Sequence, residues 1–172
     1  MADLPSKAKA VIIGGGVVGA SCLYHLARKG WSDCVLLEKN ELTAGSTWHA
    51  AGNVPTFSTS WAIMNMQRYS TELYARLGDE VDYPMNYHQT GSIRLAHSKE
   101  RMQEFERAKG WGKNQGMDLE ILGIDEIKAR YPFIETHDLK GALYDPNDGD
   151  IDPAQITQAL AKGARDMGAQ VA

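Results

Sequence analysis

Hydrophobic positions along the chain switch between two periods. Ala10-Val11-Ile12-Ile13 is a short apolar run closed by glycines, which predicts a buried strand. From Val17 to Lys29 the period becomes helical. Ala20, Leu23, Tyr24 and Ala27 share one face, and Gly30 ends the helix as a C-terminal cap. Cys34–Glu38 is a second buried strand. Strand, glycine turn, helix and strand follow one another within about 30 residues, the pattern of a βαβ unit with a parallel sheet.

The middle of the chain reads differently. Ile63, Met66, Ser70, Leu73, Tyr74 and Leu77 mark a helix closed by Gly78. Residues 91–96 alternate like a half-buried strand. Residues 98–109 form a charged helix with a thin apolar side, Met102 and Phe105. Leu119–Leu122 is a short strand, Asp125 caps a short helix stopped by Tyr131-Pro132, and Gly141–Tyr144 is another strand. Asp152-Pro153 then opens a last helix, with a capping carboxylate and a first-turn proline, that runs to about Met167. Gly168 ends it, and Ala169–Ala172 begins a further strand. This order predicts three segments. Residues 1–78 hold a nucleotide-binding portion, 79–150 part of an inserted α+β layer, and 151–172 a return helix and strand. Because the chain stops as a strand begins, the sheet is expected to be completed by the remainder of the same polypeptide or by a partner subunit.

Composition narrows the class. The 172 residues are 43% hydrophobic and 23% charged, with a net charge of −4, which is the globular range. No segment is rich in Lys and Arg, which argues against nucleic acid as a partner. No apolar run reaches the roughly 20 residues that span a bilayer. The run Val11–Ala20 carries four glycines and reads as strand and turn, not as a signal peptide. With no arginine-rich leader either, the expected location is the cytoplasm. Cys22 and Cys34 lack the spacing of a redox or metal motif and read as small buried hydrophobes. His25, His88, His97 and His137 show no metal-ligand spacing, so no metal is expected. Trp61, Trp111 and Tyr83 are expected to be packing residues, or else an aromatic cage for a methylated ammonium, and Arg94 to face solvent from its strand, or else a substrate carboxylate.

The chemistry concentrates at the first turn. Gly14-x-Gly16-x-x-Gly19 follows an apolar strand and opens a helix, and Glu38 stands 19 positions after Gly19 at the end of the second strand. Gly14 permits the tight turn, Gly16 lets the backbone approach a pyrophosphate, and Gly19 lets helix and sheet pack closely. The phosphates then meet the free N–H groups of a helix N-terminus. Glu38 can accept hydrogen bonds from ribose hydroxyls, and an acid here disfavours a 2′-phosphate. The fingerprint does not by itself separate NAD from FAD. The stretch that follows does: Glu38-Lys39 leads into Thr43–Gly52, where small residues leave room for a flat ring around one Trp and one His.

The run "AVIIGGGVVGASCLYHLARKG…VLLEKNELTAGSTWHAAG" resembles the flavin half of the dimethylglycine and sarcosine dehydrogenases, within the D-amino-acid-oxidase-like FAD oxidoreductases. The similarity continues through "YHQTGSIRLAHSKERMQEFERAKGWG" and "ALYDPNDGDIDPAQITQALAKGARDMGA". It implies an FAD-binding Rossmann-like α/β fold of the glutathione-reductase type, with an incomplete parallel sheet and part of an inserted substrate domain. It implies oxidation of the N-methyl group of a small amine such as dimethylglycine or sarcosine. The histidine after the tryptophan of "STWHAAG" carries the flavin covalently in that family, which puts the role on His49, with Trp48 against the ring. Asn53 departs from the apolar residue expected there. The implied cofactor contacts are Gly14, Gly16, Val17, Val18, Gly19, Glu38 and Lys39, then Gly45, Ser46, Thr47, Trp48, His49, Ala50, Ala51 and Gly52. Tetrahydrofolate belongs to a C-terminal region of such relatives that this sequence lacks. No motif pairs a base with a nucleophile, so catalytic residues are unassigned. The alternatives are a glycine-oxidase-like amine oxidase, or a flavin-binding fragment or subunit without turnover of its own.

Overall fold

The computed structural model describes residues 4–172. The elements begin β1 (Ala10–Ile13), α1 (Val17–Arg28), β2 (Cys34–Leu37), a 3-10 turn (Ser46–His49), β3 (Asn53–Val54), α2 (Trp61–Val81), β4 (Tyr87–His88) and β5 (Ser92–Ala96). They continue α3 (Lys99–Asn114), β6 (Glu120–Leu122), α4 (Ile124–Arg130), β7 (Gly141–Asp145), β8 (Gly149–Ile151), α5 (Pro153–Asp166) and β9 (Gln170–Val171). Two compact units share them. One comprises residues 1–53, 72–87 and 151–172; the other comprises 54–71 and 88–150. The hydrophobic pattern had put its first division after Gly78.

The first unit is α/β. β1 and β2 pair in parallel, Ala10 opposite Cys34 and Ile13 opposite Leu37, and β9 joins the other edge of β2 with Val35 opposite Gln170. α1 and α5 pack together, burying Leu23 on one and Leu160 on the other. Each such leucine contributes about 2 kcal/mol. Gly163 makes the approach possible, since a Cβ there would stand 2.8 Å from the Tyr24 ring and 2.7 Å from Val81. Asp152 caps α5 as its sequence predicts, its Oδ1 accepting from Ala154 N at 2.7 Å and Gln155 N at 3.1 Å. β1 departs from the expected buried strand. Its Val11 and Ile13 side chains are exposed, Ile13 by 88%, because they point away from the face that the helices cover.

The second unit is α+β. β5, β7 and β6 form an antiparallel sheet in that order, with Arg94 opposite Leu143 and Ile121 opposite Leu143. Alternate side chains leave opposite faces. Ala96 and Leu143 pack with Phe57, Phe105 and Leu119, while Ala142, Ile93 and Tyr144 pack with Leu122, Ile127 and Leu139.

Three boundaries differ from the sequence pattern. α2 does not close at Gly78 but runs to Val81. Gly78 is a packing glycine, its absent Cβ leaving room for Tyr83 O, and the left-handed residue that ends the helix is Asp82, φ 48°. α3 continues past Lys109 to Asn114. Gly112 lies buried under Leu119, and the stop is Gly116, φ 73°. The cap of α4 is Gly123, not Asp125: Glu126 reaches back to accept from Gly123 N at 2.8 Å, and Asp125 sits in the first turn. The two-residue and three-residue strands β4 and β8 and the 3-10 turn, too short to show a period, escape the pattern altogether.

Candidate functional site

At the end of β1 the chain must leave the sheet and enter α1 within three residues. Gly14 does so at φ 110°, its N–H still donating to Leu37 O at 2.8 Å. That conformation is open only to glycine. Gly16 is the N-cap of α1 and offers no side chain to it, and no acid stands in the helix's first turn. The first-turn amides of a helix have no intrahelical acceptor, so this end is positive, and no acid of the helix's own first turn offsets it. Gly19 lies so close beneath the turn that a Cβ would be 2.0 Å from Gly14 O. Gly15, an unremarked "x" in the motif, is just as constrained: a Cβ would sit 2.6 Å from Leu42 and 2.9 Å from Glu38 Cβ.

Glu38 belongs to this turn as much as to β2. Its Oε2 accepts from Gly15 N at 2.6 Å and its Oε1 from Asn40 N at 2.9 Å. The Gly15 amide, then the Asn40 amide, hold the carboxyl below its ordinary value of 4.5. Each oxygen keeps a further lone pair, so the group can brace the turn and still accept from a ribose. Lys39 is exposed next to it.

The Thr43–Gly52 stretch is tied back to the same helix end. Thr43 is left-handed at φ 77° and its N–H donates to Gly15 O at 3.0 Å. Thr47 is buried, and its Oγ1 accepts from Val17 N at 3.0 Å, supplying from thirty residues away the cap that Gly16 lacks. A Cβ at Gly16 would stand 3.0 Å from that hydroxyl. Gly45, Ser46, Trp48, His49, Ala50 and Ala51 are exposed around the buried threonine, Trp48 by 70%. Val18 likewise stands out, 80% exposed. The His49 imidazole has no hydrogen-bond or ion-pair partner among the described residues. Gly52, φ 79°, is pressed against Ile151 O, where a Cβ would come within 2.2 Å, and its own carbonyl accepts from Ile151 N at 2.9 Å. Thus Gly14, Gly16, Gly19, Glu38 and Thr47 meet at one helix end while Gly52 packs against β8, and the signals missed were Gly15, Thr43 and the capping role of Thr47.

The remaining candidates do not join them. Cys34 is buried, and burial pushes its thiol up, but Cys22 is exposed, contrary to the expectation for both. His88 meets Asp150 at 3.2 Å and His97 meets Asp138 at 3.0 Å, all on exposed side chains. His25 bonds Ser21 O at 2.7 Å on its own helix. No group of three His, Cys, Asp or Glu suited to a metal occurs among the described residues. Trp61 and Trp111 are exposed, by 55% and 44%, and so are not interior packing residues.

Arg94 does not face solvent freely. It is half-buried in the second unit, 3.6 Å from Asp148. Asp148 Oδ1 accepts from Thr56 N at 2.6 Å and its Oδ2 from Ser92 Oγ at 2.5 Å. Thr56 Oγ1 lies 2.8 Å from Asp145 Oδ2 and 2.9 Å from Asp148 Oδ1. A hydroxyl has one hydrogen to give. Both contacts are therefore hydrogen bonds at once only when one of the two carboxyls carries a proton and donates it to Thr56. Burial, reinforced by the nearby Asp148 charge, does raise the Asp145 carboxyl above its ordinary 3.8.

The glycine turn, the capping threonine and the braced acid define a dinucleotide-binding βαβ domain. The chain belongs to the FAD-dependent oxidoreductase family, whose profile matches residues 9–172. It is 44% identical to the mitochondrial dimethylglycine dehydrogenase of Rattus norvegicus, over 94% of this chain and 19% of that protein. It is 38% identical to the mitochondrial sarcosine dehydrogenase of Homo sapiens, over 98% of this chain and 18% of that protein. The mitochondrial pyruvate dehydrogenase phosphatase regulatory subunit of Mus musculus is also 38% identical, over 98% of this chain and 19% of that protein. Among solved structures, L-proline dehydrogenase from P. horikoshii superposes with a TM-score of 0.90 at 27% identity, over 98% of this chain and 44% of that one. The chain thus spans about one fifth of the length of the curated relatives it matches. No helix among the described residues is long and apolar enough to cross a membrane.

The residues present fit the ADP end of FAD. The turn has a glycine wherever a Cβ would be strained or crowded, the first turn of α1 carries no acid, and Glu38 keeps lone pairs for a ribose.

Proposed function

We propose that the first unit holds FAD, through the Gly14–Gly19 turn and Glu38 at the ADP end and through His49 at the flavin. In this reading the protein serves oxidation of the N-methyl group of a small secondary or tertiary amine, such as dimethylglycine or sarcosine. The second unit supplies part of the substrate-binding domain. FAD, when bound, supplies the two-electron acceptor for that oxidation, which leaves a substrate iminium that water splits to formaldehyde and the demethylated amine.

The chain's own residues have defined parts in this. The Gly16, Val17, Val18 and Gly19 backbone meets the pyrophosphate, and Gly19 keeps α1 close enough to aim its N-terminus there. Glu38 accepts from the ribose. Thr47 anchors the 3-10 turn to α1, so Gly45, Ser46, Ala50, Ala51 and Gly52 can lie along the cofactor without bulk. Trp48 offers a flat apolar wall. The reading rests on His49: a neutral imidazole is a nucleophile, and this one has no partner in the protein although its turn is tied to the helix end by Thr47. The resemblance assigns its bond to the flavin's 8α carbon.

The test is acid precipitation of the protein produced with FAD present. The wild type keeps its yellow colour in the pellet, and digestion yields a flavin-bearing peptide containing His49. His49→Ala releases the colour to the supernatant. A colourless wild-type pellet overturns the covalent link.

A second reading, a flavin-binding protein without turnover, is favoured by the relative named as a regulatory subunit, which is as similar as the sarcosine dehydrogenase. Anaerobic titration with dimethylglycine and with sarcosine separates the two. Bleaching of the flavin supports the oxidoreductase; an unchanged spectrum, with flavin retained, supports the binding protein.

A further inference from the structure

Taking His49 as the anchor of the flavin, as read above, we propose that Thr43 is a positioning residue for that covalent step: it latches the Ser46–His49 turn to the glycine turn before any cofactor arrives. Thr43 stands at φ 77°. A β-branched residue is costly there, and such outliers persist only where the surroundings hold them. Two backbone hydrogen bonds hold this one. Its N–H donates to Gly15 O at 3.0 Å, and its own carbonyl accepts from Trp48 N at 3.1 Å. Its hydroxyl has no hydrogen-bond partner among the described residues. What Thr43 gives the protein is therefore its backbone.

Both bonds reach residues that matter to His49. Gly15 is a fixed anchor, wedged so tightly that a Cβ would meet Leu42 Cδ2 at 2.6 Å and Glu38 Cβ at 2.9 Å. Leu42 directly precedes Thr43, so the side chain of one and the amide of the next both seat on Gly15. Trp48 directly precedes His49. Thr47 adds a second tie, its Oγ1 accepting from Val17 N at 3.0 Å. The stretch is thus pinned, through Gly15 and Val17, to one short piece of rigid backbone, and His49 leaves it with the preceding amide fixed. All of these residues lie in the first unit.

A preset turn serves attachment more than binding. In the covalent step an imidazole nitrogen bonds to the 8α carbon as a C–H bond there breaks. The imidazole proton, the carbon's proton and the electron pair of the broken bond pass to the flavin ring, and dissolved dioxygen then takes them up as hydrogen peroxide. Such a step needs the reacting atoms held close and aligned. The ADP end is gripped by the glycine turn and Glu38 whatever the 3-10 turn does, so losing the latch slows attachment with little loss of FAD affinity.

The full chain, prepared without flavin, is mixed with FAD in air. Quenching of flavin fluorescence gives the affinity, and acid-precipitable flavin against time gives the attachment rate. Thr43→Pro cannot reach φ 77° and has no N–H for Gly15. Its attachment rate should fall by about tenfold or more, with FAD affinity within about threefold of the wild type. Thr43→Gly and Thr43→Asn accept the left-handed region and should keep the rate within about twofold. Amide exchange in the flavin-free protein reads the latch directly. The Trp48 amide should be protected in the wild type and exchange about tenfold faster or more in Thr43→Pro, with the Leu36 and Leu160 amides unchanged. A wild-type Trp48 amide left unprotected until FAD binds overturns the proposal, even where Thr43→Pro fails to fold. So do equal losses of rate and affinity in Thr43→Pro, which leave a merely structural role, and Gly and Asn variants as slow as the Pro variant, which hand the effect to the hydroxyl. A wild type that attaches no flavin sinks the reading of His49 and with it the part of Thr43 in attachment, while Trp48 exchange still reports the latch, so the two failures are distinguishable.

Discussion

Two turns, each governed by an acid, show opposite uses of the same side-chain chemistry. In the first unit Glu38 braces the exit from β1, with one backbone amide on each oxygen. In the second unit Asp145 ends β7 and shares Thr56 with Asp148. Glu38 is partly open to water and its charge is satisfied by donors, so its carboxyl is held down. Asp145 is 2% exposed and faces another acid, so its carboxyl is driven up. An acid held down by amides can accept further hydrogen bonds from a ligand. An acid buried against another acid and tied to a threonine is an internal strut. The position of an acid after a strand is thus no guide to function until its donors are counted.

The largest effect belongs to the glycine turn. Gly19→Ala would place a methyl carbon 2.0 Å from Gly14 O, a backbone atom that cannot rotate away. α1 must shift off the turn. The expected loss is about 3 kcal/mol, read as a lower urea midpoint, together with a lower flavin content of the protein as produced. A variant that keeps both wild-type stability and flavin would show that the close approach is dispensable.

Next comes Asp148→Asn. Asp148 gathers Thr56 N, Thr56 Oγ1 and Ser92 Oγ, and faces Arg94. The amide keeps one acceptor oxygen, turns a donor toward donors, and leaves Arg94 half-buried without its counter-charge. The expected loss is about 2–3 kcal/mol. Amide exchange should report it first on β5 and β7. Faster exchange confined to α1 and β2 would contradict it.

The contrast also shows what could be read in advance. The glycine turn was legible because backbone geometry leaves its mark in residue type: φ 110° at Gly14 and the missing Cβ at Gly19 admit glycine alone or nearly so. α5 was legible through Asp152-Pro153, a cap and first turn that act locally. Thr47 capping α1, and Thr56 bridging two aspartates, join residues 30 and about 90 positions apart. Such contacts create no periodicity, so Thr47 entered only as one small residue among several and Asp145 only as part of a resemblance. Glycines misled in the other direction. Gly78 read as a stop, yet it sits inside α2 because its missing side chain makes room for Tyr83; Gly112, on which the pattern was silent, likewise sits in α3 under Leu119.

The smallest effect sharpens the comparison most, because its sign is opposite to that of its neighbour three residues on. Asp145 has its carboxyl raised in the folded state. Its contribution to stability is therefore full below the ordinary 3.8 and is lost as pH rises through the higher folded value. Glu38 runs the other way: its contribution is present above 4.5 and lost as pH falls through its lower folded value. Asp145→Asn reproduces the protonated carboxyl permanently. The amide oxygen can accept from Asn147 N, as Asp145 Oδ1 does at 3.0 Å, and the amide nitrogen can donate to Thr56 Oγ1, freeing the hydroxyl hydrogen for Asp148. At pH 4 the variant should match the wild type closely. At pH 8 it should be more stable by about 1 kcal/mol, the worth of one buried hydrogen bond kept satisfied. Urea midpoints at the two pH values decide the matter. A variant destabilised equally at both would mean that Asp145 acts as a charged carboxylate, and that the two turns use their acids alike.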